Sequence, residues 1–125
     1  MKIAALATRP DPGMVLAKAT VRASELLGFT GAMLGRVIGL SDASVSRVSA
    51  GARPIEPGSK EGELAALLVR VYRSLDAVVG NDEKRRRAWL ASFNDGLNGV
   101  PRELMQSVQG LVQVVAYLDG MRARN

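Results

Sequence analysis

Ser41, Asp42, Ala43, Ser44, Ser46 and Arg47 crowd one short stretch of the sequence. Short hydroxyl side chains let a helix lie deep in the major groove of a duplex, and a helix N-terminus favours phosphate. Arg47 suits a guanine edge or a phosphate. Arg36 and Arg53 flank the stretch and suit contacts to a nucleic-acid backbone. Bond-making chemistry is harder to assemble. The 125 residues contain no histidine and no cysteine. That excludes disulfides, Cys or His metal sites, thiol nucleophiles and every triad that uses imidazole. The twelve acids are scattered without an obvious pair, which leaves a carboxylate enzyme as a distant third reading. No catalytic residue, metal or cofactor is expected.

The elements that must position these side chains follow from caps and stops. Asp11-Pro12 reads as an N-cap followed by proline at the first helical position. That helix runs to Leu27, and Gly28 stops it. Thr30 caps a helix over 31–38 stopped by Gly39, and Ser41 caps one over 42–50 stopped by Gly51. Gly35, Gly39 and Val45 then meet three demands of a helix-turn-helix. These are a small residue where the helices touch, a glycine in the turn, and an apolar residue on the buried side of the second helix. Leu34, Ile38, Leu40 and Val48 supply further apolar contacts. The bland alternative is a helical hairpin with a glycine turn and no role on DNA.

Residues 53–58 form a Pro- and Gly-rich linker, the one plausible internal boundary. Beyond it, Leu64, Leu67, Leu68, Val71, Leu75 and Val78 recur at helical spacing and predict a helix over 61–79 ended by Gly80. Asn81 is expected to cap a helix over 82–92. Its Arg85-Arg86-Arg87 run reads as a solvated face, or less readily as a nucleic-acid patch. A Gly/Asn loop over 94–100 follows, then a short helix near 102–107 begun by Pro101, and a last helix over 108–122. Nothing alternates as a strand does. The expected fold is all-α: a flexible arm over 1–11, a helix-turn-helix bundle with its linker over 12–58, and a small helical domain over 59–125.

In that second domain Trp89 is expected to anchor the small core. Asn94 can cap backbone donors in the loop, and Gly110 can let two helices approach. The last helix is apolar around most of its circumference. Leu111, Val115 and Leu118 share one face, Val114, Tyr117 and Met121 a neighbouring one, and Val108 and Val112 widen the arc. Such a helix must be covered on most sides. Either it packs against a second copy, with Trp89, Leu111, Val114, Val115 and Leu118 as dimer or core interface, or the 61–79 helix covers it.

Lysine and arginine outnumber the acids 17 to 12, a formal charge of +5, which points to an anionic partner. Apolar residues make up 47% of the chain, enough for a core. The apolar stretch 3–8 is too short for a secretory signal. The charge-free run 104–118 holds three Gln, a Ser and a Gly and falls short of a membrane span. A cytoplasmic protein is expected.

The order Trp89-Leu90, Asn94, Leu97, Pro101, Gly110, Val114 and Leu118 resembles the C-terminal domain of the Xre/MbcA/ParS antitoxin family, and the helix-turn-helix before it is Xre-like. The resemblance spans roughly residues 15–122. It departs from the family at Gly35, where an alanine is usual, and at Asp42. It implies a type II antitoxin, usually dimeric, that represses its own operon through operator DNA. The implied partner is a RES-domain toxin that degrades NAD⁺ or uses it to ADP-ribosylate a target. Arg122 and Arg124, with a carboxylate at Asn125, then form a basic tail suited to a pocket built for a pyrophosphate. Tyr117 and Met121 lie just upstream as candidate toxin contacts. The plainer reading of the tail is a solubilised helix end. From a different class comes the runner-up: a free-standing dimeric helix-turn-helix regulator.

Overall fold

The computed structural model describes residues 9–124. The expected arm therefore lies outside the described residues except for Arg9, Pro10 and Asp11. Among the described residues the fold is all-α, with seven helices. The N-terminal bundle holds α1 (Pro12–Leu26), α2 (Gly31–Ile38) and α3 (Asp42–Ser49). The long α4 (Lys60–Val79) leads into α5 (Glu83–Ala91), α6 (Pro101–Leu104) and α7 (Val108–Arg124).

Side-chain caps set most of the helix starts, because the first amides of a helix have no partner within it. Asp11, Thr30, Ser41 and Ser59 each accept a hydrogen bond from the amide two or three residues on. One cap differs from expectation. Asp82, not Asn81, starts α5, and its Oδ1 accepts from the Arg85 amide at 3.1 Å. Asn81 is in the left-handed region, with φ of 59° next to Gly80 at 73°. The chain turns through two such residues before the helix begins, so Asn81 lacks the extended backbone that a cap needs. The loop after α5 holds an isolated bridge between Asn94 and Gly99, and α6 is one turn rather than a helix reaching Ser107.

α4 is the central beam. Ala65, Leu68, Val71 and Leu75 are fully buried along it. α1 packs on one side of it and α7 on another, and α2 also touches it. The apolar core is continuous through both halves, from Ala17, Leu34 and Val45 to Leu111 and Leu118.

Arg86 ties the halves together. It is only 3% exposed, although the Arg85-Arg86-Arg87 run reads as a solvated face in sequence. Its Nε donates to the carbonyl oxygen of Leu26 at the end of α1 (2.9 Å), and its Nη1 to Asp76 on α4 (3.3 Å). The guanidinium lies 5.4 Å from the centre of the Tyr72 ring, within cation–π range. Arg87 pairs with Glu83 on the surface. Among the described residues no helix is long and apolar enough to cross a membrane.

Candidate nucleic-acid and protein-binding surfaces

The α2–turn–α3 unit depends on a missing side chain. A Cβ at Gly35 would stand 2.6 Å from the carbonyl oxygen of Leu40 and 3.4 Å from Val45 Cγ2. Glycine there lets α3 close onto α2 without displacing the turn. Gly39, at φ 77°, makes the turn itself. Val45 and Val48 face inward and are buried.

The outward face of α3 carries Ser41, Asp42, Ala43, Ser46 and Arg47, all exposed. Ser44 is half-buried and already engaged. The Ser41 hydroxyl and Arg47 Nη2 both donate to its Oγ, at 3.1 and 3.2 Å. Arg47 therefore lies along the helix surface, anchored to a hydroxyl that water or phosphate can replace. Arg36 is exposed, and its Nε donates to Gln106 Oε1 at 2.8 Å. Arg53 is placed differently from the other two arginines. It is half-buried at the foot of α4, with Nη2 3.9 Å from Glu61 and Nη1 buried without a hydrogen-bond partner. Ser41, Ser46, Arg36 and Arg47 are thus all exposed, and Arg53 is half-buried.

In the C-terminal half, Leu111, Val114 and Leu118 are fully buried and Val115 nearly so. α4 covers this face, the alternative that periodicity left open. Asp119 continues the seam, accepting from Ser74 at 3.0 Å and pairing with Arg70. Gly110 permits the close approach expected of it: a Cβ there would lie 1.9 Å from the carbonyl oxygen of Leu104. Asn94 Oδ1 accepts from the Leu97 amide at 2.9 Å and closes the loop.

Trp89 is half-buried rather than the centre of the core. Leu90 beside it is the residue that points inward, 1% exposed. The Trp89 ring stacks on Tyr117, with centroids 6.3 Å apart and planes 30° apart. Gly96 fits beneath Tyr117, since a Cβ there would come within 2.6 Å of its ring. Met121 is half-buried, Arg122 and Arg124 are exposed at the end of α7, and Asn125 lies outside the described residues.

Two open apolar surfaces involve the C-terminal half, and one of them carries Val108 and Val112 of the arc read from the sequence. Phe93, 60% exposed, borders a cleft of about 480 Å³ with Trp89, Val78, Val79 and Arg85. A wider groove runs between α1, α4 and α7. Val15, Val108 and Val112 line it, all about half exposed or more, with Leu64 and Leu67 at its floor. Helical spacing told that these positions are apolar, but not which side of each helix a neighbour would leave open.

Among the described residues no cluster of acids could hold a metal ion. No curated protein matches the chain. Residues 7–70 match the antitoxin Xre-like helix-turn-helix domain, and residues 74–124 match the antitoxin Xre/MbcA/ParS C-terminal toxin-binding domain. The two matches meet inside α4, the helix that packs against both α1 and α7. With a glycine-hinged helix pair in front and a toxin-binding domain behind on one core, the chain belongs to the Xre/MbcA/ParS antitoxin family.

Proposed function

We propose that this chain is the antitoxin of a type II pair that neutralises a RES-domain, NAD⁺-consuming toxin and represses its own operon. The observation that carries the reading is the joining of two surfaces on one core. An exposed serine- and arginine-bearing helix, α3, stands on one half, and a matched toxin-binding domain forms the other. The chain's own contribution is recognition. α3 reads operator DNA through Ser41, Ser46 and Arg47, with Arg36 on the backbone. Arg53 supports the foot of α4 more than it reaches for phosphate.

The end of α7 obstructs the toxin's substrate site. Exposed Arg122 and Arg124 suit a pocket shaped for the pyrophosphate of NAD⁺, and a chain end can enter a cleft that a folded face cannot. The protein works as a dimer through the α1–α4–α7 groove. An isologous interface brings each patch against its own copy. Glu63 and Arg73 both border the groove, ten residues apart on α4, so antiparallel α4 helices would pair acid with base across it.

Co-expression with a RES-domain toxin tests the reading. Growth should be rescued and cellular NAD⁺ preserved. Deleting residues 123–125 should leave the complex intact but restore NAD⁺ loss. Full inhibition by the truncated chain would move the block from the tail to the helical surface. Failure of the intact chain to rescue growth would remove the antitoxin reading.

A further inference from the structure

The α5 surface ends in an unusual way. Most large apolar side chains here are covered, yet Phe93 stands 60% exposed immediately after α5. Four residues earlier Trp89 presents part of its indole, and its ring is braced from behind by Tyr117. Phe93, Trp89 and Val78 form an apolar recess of about 480 Å³, with Arg85 and Asn94 at its polar edge. No acid is among the described residues that line it. Parts of the recess are held in place. Trp89 is stacked, Asn94 is locked by the Leu97 amide, and the helix beneath is tied down by buried Arg86. An aromatic recess with one braced wall and one cation at its rim is the composition of a binding hot spot.

We infer that the Trp89–Phe93 cleft is the anchor point for the body of the toxin, receiving an apolar side chain flanked by an acidic group. Three features of the molecule select this occupant over a second copy of the chain. Every residue lining the cleft falls within 74–124, the stretch matched to the toxin-binding domain, whereas the α1–α4–α7 groove draws on both halves. The rim charge is of one sign, so two copies of the cleft would repel where a partner carrying acid would be drawn in. The cleft is also continuous, through the Trp89–Tyr117 stack, with α7 and the tail that enters the toxin's substrate site. The anchor and the tail then act together: the cleft sets affinity, and the tail sets inhibition. This assignment rests on the antitoxin reading above.

Trp89 is the sole tryptophan of the chain, so 5-fluorotryptophan labelling gives one ¹⁹F resonance from the cleft wall. Adding an unlabelled RES-domain toxin that the chain neutralises should shift that resonance. Phe93→Asp should weaken the complex at least about thirty-fold, and Arg85→Glu about tenfold with a loss of salt dependence. Since Phe93 is exposed, its variants should keep the wild-type melting curve. An unmoved ¹⁹F signal in a formed complex, or wild-type affinity in Phe93→Asp, overturns the cleft assignment while leaving the antitoxin reading in place. If the unaltered chain does not bind the RES-domain protein at all, the antitoxin reading fails first and takes the occupant with it.

Discussion

Arg36 Nε donates to Gln106 Oε1 at 2.8 Å, joining the α2–α3 hairpin to the turn before α7 across 70 residues of sequence. The bond is exposed, so a phosphate arriving at α2 competes with Gln106 for the same guanidinium. Arg36→Ala should lower the slope of log affinity against log salt by about one on operator DNA. Global stability should change by no more than about 1 kcal/mol, because the lost bond is solvated in either state. A titration over several salt concentrations checks this, and an unchanged slope would mean that Arg36 meets no phosphate.

Arg47 should behave differently. It sits on the outward face of α3 beside Ser41 and Ser46. Arg47→Ala is expected to weaken operator binding by about 1–3 kcal/mol at fixed salt if it contacts a base edge, and to relax sequence preference at that position. Rescue of growth against the toxin should survive. Equal affinity for operator and scrambled duplex in the parent protein would remove α3 as the reader.

Arg86→Met keeps most of the volume of Arg86 and removes its donors. The Leu26 carbonyl loses its side-chain partner, and Asp76 loses its ion pair. Breaking such a pair costs about 2–4 kcal/mol here, toward the low side because Asp76 is itself about a third exposed and can rehydrate. Arg86→Lys should recover only part, since one ammonium cannot span both acceptors with a fixed fork. Urea denaturation measures both. A loss under about 1 kcal/mol in Arg86→Met would show that the latch is incidental.

Two glycines of α7 make a matched pair. Gly110→Ala drives a methyl against the Leu104 carbonyl, a rigid backbone atom, and should destabilise by about 1–3 kcal/mol or more. Gly120→Ala meets nothing within 4 Å and should stabilise by about 0.5–1 kcal/mol through helix propensity. Thermal melts of the two variants should move in opposite directions.

Val115 and Val112 test where self-association lies. Val115 is 6% exposed and Val112 49%. Val115→Asp should unfold the chain or lower its melting point sharply, because the charge has no partner in the core. Val112→Asp should leave the fold intact and yield a smaller species in sedimentation. A Val112→Asp protein that sediments like the parent sinks the groove as a dimer seam.

The caps and stops of the helices were legible because they are local: Asp11, Thr30, Ser41 and Gly39 act within one turn of themselves. The hairpin spacing Gly35–Gly39–Val45 was legible for the same reason. What the sequence hid was long-range. Three consecutive arginines look alike in sequence, yet only the middle one points under α1 to reach the Leu26 carbonyl. Trp89 and Leu90 are both large and apolar, and a single step around α5 decides that Leu90 is covered and Trp89 is half open. The apolar circumference of α7 was visible, but whether α4 or a second copy covers the Leu111–Leu118 face depends on how the two helices pack. Asn81 was misread as a cap because composition does not reveal φ.

α4 belongs to both halves, and the core that surrounds it is continuous. Opening of either half uncovers a side of the helix that both share. The chain therefore ages on a single clock: a protease that captures the opened state removes both matched domains in the same event. Under the proposed function, the operon becomes available for transcription at the moment the toxin is released, so replacement antitoxin begins to be made as soon as it is needed.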